Sequence, residues 1–132
     1  MKHKTTNTIC PCGSGQPYSL CCEPLHHGFP AKSAEALMRS RYSAFAMGLR
    51  DYILSSWHPE TRPDTLDLSE EKTKWLDLEI KEHRNFEDDT ATVEFIARYK
   101  TNGKAGKLHE LSRFRKEQQH WYYLDGDLIV ST

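Results

Sequence analysis

A chain of 132 residues, 37% hydrophobic and 28% charged, has material for one modest core and a small appendage, not for two full domains. Its formal net charge of −1 supplies no long basic stripe, which argues against a nucleic-acid partner and against an anionic membrane surface. No run reaches the length of a transmembrane helix, and Met1-Lys2-His3-Lys4-Thr5-Thr6 is not followed by an apolar segment of the signal-peptide kind, so the expected setting is a reducing, bacterial-type cytoplasm.

After a polar start expected to fray (residues 1–9), all the cysteines arrive together as Cys10, Cys12, Cys21 and Cys22. Four thiolates in so short a stretch can close a tetrahedron round one borderline-soft ion, and Zn²⁺ is the usual occupant of such a sulfur-rich structural site. Gly13, Ser14 and Gly15 allow the tight curl that turns backbone N–H groups towards sulfur, and Tyr18 and Leu20 are the apolar cover within reach. The alternatives are weaker. Disulfides would need a strained Cys10–Cys12 or Cys21–Cys22 bridge or two crossed ones, and a redox pair usually has two residues between its cysteines ahead of a helix. A catalytic zinc keeps an open position, whereas four thiolates fill it. His26 and His27 follow closely as possible competing ligands, more simply read as packing or linker residues.

Glu23 to Pro30, with two prolines and Gly28, reads as a connector rather than an element. Ser33 then caps a helix whose stripe is Met38, Tyr42, Phe45 and Leu49, with Arg39, Arg41 and Arg50 on other faces. Gly48 ends or bends it, and Asp51 is placed to cap a shorter helix from Tyr52 to about Trp57, stopped by Pro59. A short third helix is predicted from Ser69 to about Trp75. The period then becomes two. Leu76, Leu78 and Ile80 begin a strand towards Phe86; Val93, Phe95, Ala97 and Tyr99 mark a second, closed by Asn102-Gly103. Leu108 to Lys116 makes a third and Trp121 to Leu124 a fourth, followed by Asp125-Gly126 and a short Leu128 to Val130 tail. Helices first and antiparallel strands afterwards predict an α+β fold in which a bent helical pair covers one face of a curved sheet of about four strands. The expected division is a zinc knuckle with its connector over 1–30 and an α+β domain over 31–132. The Pro24–Pro30 connector is expected to uncouple the two mechanically, so that metal removal unfolds the knuckle alone.

The run Cys10-Pro11-Cys12-Gly13-Ser14-Gly15, Tyr18 and Cys21-Cys22 resembles the SEC-C motif, the small zinc-binding module found at the end of the SecA translocation ATPase and in many uncharacterised bacterial proteins. Here Cys22 stands where SecA has a histidine, and Gln16, Pro17 and Ser19 stand where SecA-type modules carry lysines. A second resemblance covers most of the remainder. Ala34 with Met38-Arg39-Ser40-Arg41-Tyr42-Ser43-Ala44, then Ser56-Trp57-His58-Pro59, Glu94-Phe95, Ala97-Arg98-Tyr99, His109 to Phe114, Trp121-Tyr122-Tyr123 and Asp125-Gly126, are similar to the YchJ-type family. That resemblance implies a cone-shaped domain like nuclear transport factor 2 behind the zinc module. It implies no reaction.

Enzymes similar in fold often place a carboxylate and a histidine in the cone's concavity, which makes His58, Glu94 and His109 candidate proton-transfer residues, with Glu110, Tyr99 and Tyr122 beside them. Strand parity limits the combinations: His109 and Glu110 are adjacent and face opposite sides, and Glu94 opposes Val93, Phe95 and Tyr99. Each also has a plain structural reading. His58 fits a helix C-terminus, Glu94 a sheet-face ion pair with Arg98, Arg113 or another cross-strand base, and Trp121, Tyr122 and Tyr123 fit packing. The leading functional expectation is a zinc-binding adaptor with the knuckle as its protein-interaction surface. The alternatives are a small-molecule-binding protein or enzyme using the concavity, and a nucleic-acid or ribosome-associated module, which the net charge opposes.

Overall fold

The computed structural model describes residues 8–68 and 72–130. The elements are a 3-10 turn Tyr18–Leu20, helices α1 (Glu23–His26), α2 (Ala34–Met47) and α3 (Arg50–Ser55), and strands β1 (Thr73–Asn85), β2 (Thr90–Thr101), β3 (Lys104–Glu117) and β4 (His120–Leu128). The four strands form one antiparallel meander in the order β1-β2-β3-β4, a curved sheet, so the fold is α+β.

Local chemistry explains most boundaries. The Ser33 hydroxyl accepts from the Ala36 N–H at 3.1 Å, satisfying one of the orphan donors that open α2. Gly48 closes the helix at φ 75°, a left-handed value that costs glycine nothing. The β2–β3 turn places Asn102 and Gly103 at φ 53° and 81°, as a hairpin turn matched to the sheet's twist requires. Gln118 and Gln119 make the β3–β4 turn at φ 52° and 73° without any glycine.

Strand parity then builds the core. Ala91, Val93, Phe95 and Ala97 of β2 face the helix side, opposite Phe114, Ser112, Glu110 and Leu108 of β3. Leu37, Met38 and Tyr42 of α2 close over them, with Leu78 of β1, in one buried cluster. Val93 and Phe114 are fully buried, each contributing roughly 1.5–3 kcal/mol by leaving water.

Several expectations need correction. Thr73–Trp75 belongs to β1 rather than to a third helix, because it pairs with Tyr99–Thr101; Ser69, where that helix was to start, lies outside the described residues. Leu76 is exposed, because a register shift between Trp75 and Asp77 bulges it out and leaves Trp75, Leu78 and Ile80 on the inner face. The fourth strand does not stop at Leu124, since Asp125 and Gly126 lie within β4, paired with Arg113 and Ser112. Asp51 lies in the first turn of α3 and Leu49 holds the cap position. Arg41, expected on another face than the apolar stripe, is buried, being three residues after Met38 and therefore on the same stripe.

The connector is not a hinge. Pro24 lies in the first turn of α1, where its missing N–H has no partner to lose. His26 binds across to α2, its Nε2–H donating to the Ser40 carbonyl at 2.8 Å and its Nδ1 accepting from the Tyr18 hydroxyl at 2.7 Å. Arg39 Nη1 donates to the Cys12 carbonyl at 2.9 Å. Cys10, Cys12 and Cys22 thus belong to the same buried cluster as Leu37, Met38 and Leu78, so the loop is packed against α2 rather than hung from a free connector.

Candidate functional site

The cysteine loop is a miniature hairpin: Ile9 bridges Pro17, and the Cys10 N–H donates to the Gln16 carbonyl at 2.9 Å. Gly13 and Gly15, at φ 84° and 85°, make the reversal, and the Ser14 N–H turns back to the Cys12 sulfur. The Tyr18–Leu20 turn then brings Cys21 and Cys22 round to the first pair. One sulfur from each of Cys10, Cys12, Cys21 and Cys22 lies within 4.8 Å of the others, a set suited to holding a metal ion. Cys10, Cys12 and Cys22 are buried; Cys21 is half-buried and meets the Ser14 hydroxyl at 3.1 Å.

The electrostatics favour a cation at the centre. Hydrogen bonds from the Cys10 and Cys22 thiols hold Cys12 far below the usual thiol range, and the same contacts with burial push Cys22 far up and Cys10 up to about 11. The Cys12 thiolate is stabilised by the protons of Cys10 and Cys22, and a bound cation would take the place of those protons. Tyr18 packs on the cluster as expected, but Leu20 points outward and covers nothing. His26 and His27 are not among the grouped ligand residues.

Comparison with known proteins agrees with both halves. A model of the SEC-C motif matches residues 7–24, and a model described as the YchJ middle NTF2-like domain matches residues 33–126. The chain belongs to the YchJ family. It is 50% identical to a UPF0225 protein of Bordetella bronchiseptica over 96% of this chain and 98% of that one. To a UPF0225 protein of Cupriavidus pinatubonensis it is 47% identical, over 96% and 92%. Among solved structures, a SEC-C motif containing protein from Rhodopseudomonas palustris superposes with a TM-score of 0.83 at 38% identity, covering 93% of this chain and all of that one. Another from Psychrobacter arcticus gives 0.79 at 31% identity, over 98% and 88%.

In this YchJ-family fold the polar candidates do not meet in the concavity. Glu94 and His109 pair at 2.7 Å, but on the outer face of the sheet, because both oppose the inward residues of their strands. Arg98 goes to Asp77 and Glu79 and Arg113 to Asp125 and Asp127, so the cross-strand base that Glu94 meets is His109. His58 is buried at the corner after α3, its Nδ1 accepting from the Glu60 N–H and its Nε2–H donating to Glu117 at 2.9 Å. Its backbone N–H donates to the Tyr123 carbonyl, tying α3 to β4, and the Tyr122 ring stands edge-on to it at 5.7 Å. Tyr99 packs against Trp75 and lies over Gly106, where a Cβ would meet its ring at 2.8 Å. Of the proton-transfer candidates His58, Glu94 and His109 and their neighbours Glu110, Tyr99 and Tyr122, only Glu110 lines the cavity between α2 and the sheet. Arg41 and Trp57 line it too, and the spacing Met38, Arg41, Tyr42, Phe45 was the signal that placed Arg41 there.

Proposed function

We propose that the cysteine cluster holds one structural Zn²⁺ and that this metal clasps the N-terminal loop onto α2 and β1. The observation that carries this is the convergence of four sulfurs within 4.8 Å, three of them buried. An all-thiolate tetrahedron selects a soft or borderline ion and leaves no open position for a substrate, so the metal's work is architectural. A reducing compartment such as the bacterial cytoplasm suits it, since the thiols must stay unoxidised. X-ray absorption on the purified protein should give four sulfur neighbours at about 2.3 Å, with one zinc per chain by elemental analysis. Fewer than three sulfur neighbours, or metal-free protein with a Cys–Cys bridge, overturns it.

The adaptor role is a second reading, supported by one observation: the clasped loop turns Leu20, 74% exposed, and Ile9, 57% exposed, away from the core. A rigid loop with two apolar side chains outward suits a protein partner better than a polyanion, and the ion-paired outer sheet face adds no basic stripe. Leu20→Ser should keep the zinc and lose a partner that cross-links to residues 14–20 in cells. Retention of that cross-link sinks the reading.

A further inference from the structure

Between α2 and the inner face of the sheet lies a cavity of about 270 Å³. Its walls are apolar, including Met38, Tyr42, Phe45, Trp75, Phe95 and Leu108, while its polar groups are Arg41, Trp57, Glu110, Ser112 and Tyr123. Three of these are held in ways that packing alone does not require.

Arg41 is 4% exposed, and burial lowers its pKa to about 10, which leaves it charged at neutral pH. Its Nη1 donates to the Ile53 carbonyl and the Ser56 hydroxyl, and its guanidinium stacks 4.4 Å from the Tyr123 ring centre and 5.1 Å from that of Trp57. No carboxylate lies within ion-pair distance of it among the described residues, so the charge is solvated by dipoles and rings alone. A buried cation of this kind is costly against an apolar side chain of the same length. Trp57 carries the second feature: its indole N–H is buried without an acceptor among the described residues. Third, the Glu110 carboxylate sits over Gly126, where any Cβ would collide with it, and one of its oxygens accepts from the Ser112 hydroxyl at 2.7 Å and the Tyr123 hydroxyl at 3.3 Å.

We infer that this cavity is a binding site for a small, uncharged, largely apolar molecule whose polar head carries a carbonyl and an N–H together, the chemistry of a primary carboxamide. The carbonyl meets Arg41 and the N–H meets Glu110, while the Trp57 N–H, shut off from water, senses the occupied head through the ring that Arg41 stacks on. The opposite charges of Arg41 and Glu110 favour a neutral head, since an anion faces the carboxylate and a cation faces the guanidinium. A volume just below the usual range of about 300–1,000 Å³ limits the body to roughly one ring.

The test is an NMR titration of the zinc-loaded full chain with benzamide, benzoate, benzylamine and toluene, following the Trp57 indole N–H and the Met38 methyl. Benzamide should shift both saturably, and each of the other three should bind at least roughly tenfold more weakly, since each mispairs or omits a polar contact worth on that order. In Glu110→Gln, benzoate should gain roughly tenfold while toluene is unchanged. The inference is overturned if benzamide leaves the Trp57 N–H unmoved, if toluene or benzoate matches benzamide in the wild type, or if Glu110→Gln leaves benzoate unaffected. The wild-type series decides without the variant.

Discussion

The cysteine loop and the sheet are organised by different forces. β2 and β3 bury Val93, Phe95, Ala97 and Phe114 under α2, so hydrophobic burial alone offsets the entropy of ordering them. The loop from Ile9 to Cys22 leaves Ile9 and Leu20 in solvent and contributes to the core chiefly its sulfurs. A segment with so little apolar surface holds its shape through metal–ligand bonds, yet it fills part of the sheet's core. The expectation is that one region is self-sufficient and the other conditional on metal. The seam between them, Arg39 to Cys12 and His26 to Ser40, is where that difference is felt.

Stripping the metal gives the largest contrast. With a chelator, or in Cys22→Ser, amides of residues 8–26 should collapse to random-coil positions, since roughly 10–16 kcal/mol of binding energy is what folds such loops. Because Cys10, Cys12 and Cys22 pack on Leu37 and Leu78, amides of α2 and β1 near those residues should shift as well, while the sheet stays dispersed. Collapse of the whole spectrum would make the metal part of one cooperative core. Silence beyond residue 26 would restore two independent units.

Striking the other region sharpens the comparison from its opposite side. Phe114 is fully buried in β3, and Phe114→Ala should cost about 3–5 kcal/mol by urea unfolding. The folded fraction should keep its full metal stoichiometry, and metal loss without unfolding would show the loop to depend on the sheet's interior. A smaller and more local effect is expected at the start of α2, where Ser33→Ala removes the hydroxyl that accepts from Ala36 and should cost about 1 kcal/mol of stability.

The smallest effect reads the seam by pH. Burial, as the leading cause, lowers the His26 pKa below its ordinary 6.5. The unfolded chain therefore binds a proton there more readily than the folded one. The stability it contributes is present above about pH 6.5 and is lost as pH falls through the lowered folded value. Imidazole resonances of the zinc-loaded protein should show His26 titrating below its ordinary 6.5. An ordinary His26 midpoint would mean the seam is open to water.

Much of this was legible because the signals are local. Ser33 and Gly48 bracket α2 by capping chemistry, Asn102-Gly103 marks its hairpin, and four clustered cysteines announce a metal site through thiol chemistry alone. Parity alone separated His109 from Glu110. The misreadings came where pairing overrode a local signal. Asp125-Gly126 looks like the end of a strand, yet Gly126 is needed in mid-strand to make room for Glu110; the bulge at Leu76 leaves no mark in an otherwise alternating run. Arg41 was legible in the three-residue step from Met38, and its charge hid it.

By itself the sequence determined α2, α3 and the four-strand run, the thiol site and most of the strands' alternation, since caps, turns and periodicity act within a few residues. Tertiary structure decided three things that depend on distant partners. It laid the cysteine loop onto α2 and β1, and it put the Glu94–His109 pair outside the cone. It also brought Arg41, Trp57 and Glu110, far apart in the chain, to one cavity, because only the register of β2 on β3 and the crossing of α2 over them fix which side chains share a space.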